Sequence, residues 1–497
     1  MFSKNTLSPR VIATTFGLFS LCTVHAVDVD WDNGSLDGNW NTPANWSTNL
    51  VPVLPDDAVF IDPAAGPATI SADIPIPRDL RFGSDGRPGT GTVNHSAGTA
   101  TLGGWFRMGV GGAGSGGTYN LSGGTITSNR YNVGESGGSI GTVNVSGTGV
   151  LRQNDVDINA EPTWNRIGQD GNGTFNLSDS GTASFDSRTM LGAAGTGNGT
   201  VNQTGAGSLF EVRRGDLTIA DTGTGTYNIS AGTLRTLNTS GESVVVGQWD
   251  NSNGNLNVSG TAQVQVGGDL VVANGNPTNT APSTGVVTQS SGVVQVGLGG
   301  GGNLRIGVDP EANGTYNLSG GTLDLTGGNI VYGAGTHSFN FTGGRLQDVA
   351  STNFSLAQQG GVLAPGPSGG SGITTINGGY TMTDGIMEIS LFNAGAADQV
   401  AVNGSVSLSG TLDLVPDGAL ALGSMFTIVS NDGTDAIAGF FSNRPDDSTF
   451  FEDGNTFMID YQGGTGNDVV LTVIPEPGST LLLLSALGLL RYRRRTV

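Results

Sequence analysis

A six-residue phrase, Gly-Thr-(aromatic or β-branched)-Asn-aliphatic-Ser, returns along this chain and dictates what it can fold into. It reads GTVNHS from Gly91, GTYNLS from Gly117, GTVNVS from Gly141, GTFNLS from Gly173, GTVNQT from Gly199 and GTYNIS from Gly225. It continues as GNLNVS from Gly254, a degenerate GVVTQS from Gly285 and GTYNLS from Gly314. Successive copies start 26, 24, 32, 26, 26, 29, 31 and 29 residues apart, and a weaker copy, SFNFTGG, begins at Ser338. A fixed period of this length marks a stacked repeat.

Each unit holds two further apolar steps. The first follows a Gly-rich corner, as in Thr125-Ile126, Thr233-Leu234 and Thr322-Leu323. The second runs into Gly, as in Tyr131-Asn132-Val133-Gly134, Arg166-Ile167-Gly168, Val245-Val246-Gly247 and Arg305-Ile306-Gly307. Three short period-2 segments separated by Gly corners describe strands, and no unit has the i, i+3, i+4 apolar spacing of a helix. Segments so short bury a face only when stacked coil on coil. In that arrangement Tyr119/Leu121, Phe175/Leu177, Tyr227/Ile229 and Tyr316/Leu318 line the interior. The intervening asparagines (Asn94, Asn120, Asn144, Asn176, Asn202, Asn228, Asn257 and Asn317) then point outward or stack as an amide ladder, and the alternation favours the outward placement.

The pattern therefore predicts an all-β chain, a parallel β-solenoid wound right-handed, with about ten coils over residues 86–361 and a length of roughly 45–50 Å. A β-propeller needs about 40–45 residues per blade, more than this period supplies. The 85 glycines lack the every-third-residue spacing of collagen.

Residues 27–85 open with DVDWDNGSLDGNWNTPANW, where Trp31, Trp40 and Trp46 are half of the six tryptophans. They are expected to cap the first coil, with sugar stacking on the exposed rings as the alternative. Residues 362–474 keep alternating runs, at Ile386–Leu391 and Val406–Val415 among others, without the phrase; they predict continued solenoid or a sandwich-like β cap.

The two ends read as addresses. Lys4 and Arg10, the apolar run Val11–Val24 and Val24-His25-Ala26 fit a secretory signal peptide cleaved after Ala26. Cleavage there removes Cys22, the only cysteine, and Leu21 before it argues against a lipoprotein anchor. At the other end stand Pro475-Glu476-Pro477, an apolar run over Ser479–Leu490, and Arg491, Arg493, Arg494 and Arg495. The run predicts a hydrophobic helix, shorter than the ~20 residues of a lone span. The arginines place their side in the cytoplasm and the bulk of the chain outside.

This tail resembles the PEP-CTERM sorting signal, and the repeats resemble the β-helical passenger repeats of autotransporters, whose members often begin with a similar Trp-rich stretch. The resemblance implies sorting by an exosortase-type membrane enzyme, at least transient anchoring at the cell surface, and a structural or adhesive role. The region after the repeats is too short for a membrane β-barrel of eight or more strands. That departs from a true autotransporter.

Charge narrows the partners. Without the two end segments, 40 acids face 14 bases, and no lysine remains. Such a surface disfavours nucleic acid, which needs clustered cations.

Candidate chemistry is sparse. Asp28, Asp30 and Asp32 have the first spacings of a calcium loop, but the glycine comes late at Gly34 and Asn39 stands where Glu is required. Gly463–Leu471 fits one copy of a calcium-binding nonapeptide around Asp468; a lone copy lacks half its site, which favours a Gly-rich hairpin. After signal removal only His95 and His337 remain, too few for a Ser-His-Asp triad or a histidine metal centre. No cofactor or metal site is predicted. Solenoid enzymes that cleave glycans gather carboxylates and basic groups on one face. The nearest set here is Asp155 and Asp157 with Arg152 and Arg166, plus Arg213, Arg214 and Asp216. Exopolysaccharide binding or cleavage is thus the alternative to a non-enzymatic role.

Overall fold

The computed structural model describes residues 26–154, 164–237, 241–298, 300–393 and 395–476. It is an all-β parallel solenoid whose coils stack through three parallel sheets. The phrase forms sheet A: Gly116–Leu121, Ile140–Val145, Asn172–Leu177, Asn198–Gln203, Thr224–Ile229 and Asn253–Val258 pair in unbroken register. The second apolar step forms sheet B, as in Thr125–Ser128, Val150–Gln153 and Thr182–Phe185. The third forms sheet C, as in Arg130–Val133, Asn165–Ile167 and Thr189–Leu191. Hydrogen bonds run along the axis from coil to coil, which excludes the propeller.

Glycine is fixed at two corners by geometry. Gly168, between sheets C and A, has φ +71, and a Cβ there would lie 2.2 Å from the Asn198 carbonyl oxygen of the next coil. Gly199, at the head of the phrase, would place a Cβ 2.0 Å from the Ile167 carbonyl oxygen. The phrase begins with Gly because neighbouring backbones touch there.

The solenoid has about 15 turns, not ten, and spans roughly 70 Å at ~4.8 Å per rung. The expectation counted copies of the phrase, whereas stacking requires only the inward alternation. Asp28–Asp30, Asp57–Phe60 and Leu80–Phe82 already belong to sheet C, and Ala68–Ile70 opens sheet A. Beyond the phrase, Leu356–Gln358, Tyr380–Met382, Val406–Leu408 and Ala438–Gly439 extend sheet A. The chain then reverses. Thr449–Glu452, Asn455–Gly463 and Asp468–Ile474 pair antiparallel, and the last strand covers Met425–Asn431 antiparallel. The last strand thus covers the Met425–Asn431 edge of sheet C.

At the other end Trp31, Trp40 and Trp46 are 2%, 0% and 0% exposed. Their rings meet edge to face at 5.1 and 4.8 Å, and Trp31 stacks on Phe60 at 5.9 Å. No open ring face is left for a sugar, so the stacking alternative falls. Aromatic contacts continue inward through Phe60, Phe82, Phe106 and Tyr131, and from there through Phe185 and Phe210 to Tyr227, with centroids 5.1–6.2 Å apart. Helix is confined, among the described residues, to the 3-10 turns Pro43–Asn45 and Pro63–Ala65. No described helix is long and apolar enough to cross a membrane. The hydrophobic helix expected over Ser479–Leu490 falls outside the described residues.

Candidate functional site

Sheet A carries the most regular surface. Within each phrase the aromatic or β-branched residue and the aliphatic residue turn inward, while Thr, Asn and Ser turn outward. The asparagines form a ladder: Asn94, Asn120, Asn144, Asn176, Asn202, Asn228 and Asn257 are joined by six carboxamide bonds of 2.8–2.9 Å. In every one the later coil's Nδ2 donates to the Oδ1 of the coil before it, so the amide dipoles align and polarise one another. Thr288 interrupts the run, and Asn340 resumes it on Asn317 at 2.7 Å. Both readings of these asparagines hold: they face outward and they stack. No segment that pairs within sheet A contains Asp, Glu, Lys or Arg; the long strands Ala312–Tyr332 and Thr336–Thr352 carry Asp324, Arg345 and Asp348 only where they run on beyond sheet A.

The same sheet has a second polar series inside. The buried tyrosines Tyr119, Tyr227, Tyr316 and Tyr380 each meet a polar residue of the preceding coil. Tyr227, Tyr316 and Tyr380 donate to the Oε1 of Gln203, Gln289 and Gln358 at 2.8, 2.6 and 2.6 Å. Tyr119 lies 2.8 Å from His95 Nδ1, while His95 Nε2 faces the Gly98 carbonyl at 3.1 Å. The carbonyl can only accept, so Nε2 carries the proton and Nδ1 accepts from the tyrosine. Burial pushes the His95 imidazole below its ordinary value and the tyrosine hydroxyls up. His95 is thus a core residue. His337 is exposed and stacks on Tyr332 at 3.9 Å, far along the rod.

The charges lie on sheets B and C and at the corners between sheets, and several pairs bridge coils. Arg107 chelates Glu135, Arg235 binds Glu211, and Arg188 binds Asp221 at 2.7 Å. Burial pushes the Glu135 carboxyl up, but the Arg107 guanidinium outweighs it and holds the group below the usual carboxylate value. Of the glycan-cleaving candidates, Asp155 and Asp157 lie outside the described residues. Arg152 sits on sheet B and Arg166 on sheet C. Arg213 and Arg214 converge on Asp186, a carboxylate the sequence reading passed over. Asp216 lies just beyond them, and its carbonyl accepts the Thr189 N–H at 2.9 Å. The structure therefore distributes the described members over two sheets and a corner.

The calcium candidates make contacts within the chain. Asp28 binds Arg81 and Arg87 at 3.1 and 2.9 Å, and Asp30 binds Arg87 at 2.8 Å. Asp32 caps the Gly34 N–H at 3.0 Å. Asp468 stands at the corner of the antiparallel hairpin, accepting from the Thr465 N–H at 2.9 Å and the Asn431 N–H at 2.9 Å.

A groove of about 420 Å³ beside sheet B includes Arg345, Glu388, Ser390 and Asp398 in its lining. Arg345 grips Glu388 at 2.7 and 2.8 Å and lowers that carboxyl's pKa. Asp398 is pushed up by burial and spends both oxygens on the Gly372 and Ser390 N–H groups. These groups hold one another.

Of the terminal candidates, Ala26, Pro475 and Glu476 are exposed. Pro477, Arg491, Arg493, Arg494 and Arg495 lie outside the described residues, as does Cys22. No protein-family model matches the chain, and no protein of curated function matches it in sequence.

Proposed function

We propose that the protein is an exported, non-enzymatic rod of the cell surface or extracellular matrix, wound right-handed. It is sorted through its PEP-CTERM-like tail by an exosortase-type enzyme and held at the membrane at least until that tail is processed. One observation carries the reading: two sorting-type ends flank a solenoid of about 15 turns. The tail leaves the last strand, Asp468–Ile474, directly at exposed Pro475 and Glu476, where a processing enzyme has access. The ion pairs support a structural role, because the candidate acids Asp28 and Asp30 serve to tie coils together.

Deleting Pro475–Val497 tests the assignment. Fractionation of cells producing the truncated chain is expected to find it in the medium or in a soluble envelope fraction. Surface retention equal to that of the full chain would remove the anchoring role. A reducing-sugar assay on exopolysaccharide separates the alternative, since turnover would make the rod an enzyme.

A further inference from the structure

The charge-free face of sheet A is unusual on a chain with a formal net charge of −21. Over ten successive coils its outward phrase positions, from Thr92, Asn94 and Ser96 to Ser338, Asn340 and Thr342, are hydroxyl or carboxamide side chains except Val286, and Ile140 at the head of its strand is a second apolar residue on the face. Each asparagine inside the ladder spends one N–H and one carbonyl lone pair on its neighbours. A carboxamide offers two N–H donors and two lone pairs. One donor and one acceptor per rung are therefore left for a ligand, flanked by a Thr hydroxyl that can do either.

We propose that this face binds a neutral, extended polysaccharide lying along the solenoid axis. Three features select that occupant. The face presents no charge, so a neutral polymer binds it without desolvating an ion. The strongly acidic remainder of the rod repels polyanions, and it repels a second copy of this chain. A sugar hydroxyl both donates and accepts, which matches the donor and acceptor left on every rung; an extended β-linked pyranose chain advances by about one rung per sugar. The unbroken ladder from Asn94 to Asn257 spans seven rungs, roughly 30 Å, so oligomers of about seven sugars fill it and longer ones gain little. This rests on the surface-rod reading only in that the face must meet such a polymer outside the cell; the binding itself is a property of the purified chain.

The test is affinity electrophoresis of the purified full chain in gels containing hydroxyethylcellulose, a neutral β-linked glucan, or polygalacturonate, an anionic polymer. Retardation by hydroxyethylcellulose, insensitive to salt and absent with polygalacturonate, is expected. Thr174→Glu with Thr200→Glu should weaken it by about tenfold or more, while Gln265→Glu on sheet B should leave it unchanged. Thermal unfolding by circular dichroism shows whether each variant is folded. Should the glutamates unfold the rod, Thr174→Val with Thr200→Val removes the hydroxyls without charge and should still weaken binding. No retardation by the neutral polymer, stronger retardation by polygalacturonate, or full binding by both folded sheet A variants would each overturn the proposal. Loss of anchoring in the tail deletion is read in cells, so either result can fail without the other.

Discussion

Asn202 and Gln203 are neighbours in the chain and carry the same carboxamide, yet sheet A turns one outward and the other into the core. Asn202 sits half-buried in the ladder, donating to Asn176 and accepting from Asn228 at 2.9 Å. Gln203 is 0% exposed, accepts from the Tyr227 hydroxyl and donates to the Thr233 carbonyl at 3.0 Å. The outer amide can exchange any of its bonds for water. The inner one cannot, so its partner must be specified by the next coil. That specification is consistent: buried tyrosines on sheet A occur only after a coil bearing His95, Gln203, Gln289 or Gln358. Where the inner residue is apolar, as at Ile229, the next coil supplies Leu256 instead. Near-identical coils risk pairing with the wrong neighbour, and a slip of one coil would strand a hydroxyl in the core. The inner pairs thus distinguish coils that the outer ladder treats alike.

The sharpest test of that contrast is a pair of substitutions one residue apart. Gln203→Leu leaves the Tyr227 hydroxyl buried without its acceptor and is expected to cost about 2 kcal/mol. Asn202→Ala, beside it, is expected to cost less than about 1 kcal/mol, because water replaces what the ladder loses. Urea unfolding of both variants measures the difference. Adding Tyr227→Phe to Gln203→Leu should recover at least half of the loss, as the natural Ile229–Leu256 pairing implies. If the double variant is no better than the single, the tyrosine–glutamine pair does not do the specifying.

The His95 pair adds a pH dependence that the glutamine pairs lack. Burial lowers the His95 pKa below its ordinary 6.5, so the unfolded chain binds the proton more readily than the folded one. Stability from this site is therefore full above pH 6.5 and declines as pH falls below it. His95→Gln copies the Gln203 arrangement and keeps an acceptor for Tyr119. It should leave the melting temperature at pH 8 within a few degrees and flatten its decline between pH 6.5 and the carboxylate range. An unchanged slope would assign the acid sensitivity elsewhere.

Much of this was legible in the sequence. The alternation within GTYNLS separated Tyr119 and Leu121 from Asn120, and that placed both the core and the outer ladder. The coil number was underestimated because sheets A and C continue through strands such as Tyr380–Met382 and Gln399–Val402, which keep the inward alternation without the phrase. Cross-coil ion pairs were missed for another reason. Arg107 and Glu135 lie 28 residues apart and Arg235 and Glu211 lie 24 apart, about one repeat. Opposite charges separated by one period carry that signal. The inner code was also present: His95 and Gln203 interrupt the aliphatic position, and Tyr appears at the inward aromatic position of the following copy. It becomes readable only once the coils are in register, because neither residue alone announces its partner.

The smallest expected effect concerns the one gap in the outer ladder. Thr288 lies between Asn257 and Asn317 in register, so Thr288→Asn should join the seven-residue run to the Asn317–Asn340 pair. Cross-strand polar pairs contribute about 0.2–1 kcal/mol each, and asparagine is a poorer strand residue than threonine. The net gain should be about 0.5 kcal/mol, read as a small increase in the urea midpoint. A second readout separates the ladder from simple strand propensity. A continuous ladder aligns more amide dipoles and lengthens the charge-free face, so retardation by hydroxyethylcellulose should rise in Thr288→Asn, whereas Thr288→Val should leave it no stronger than in the unaltered chain. If both substitutions behave alike, the outer asparagines act as separate side chains, and the contrast with the paired interior becomes sharper still.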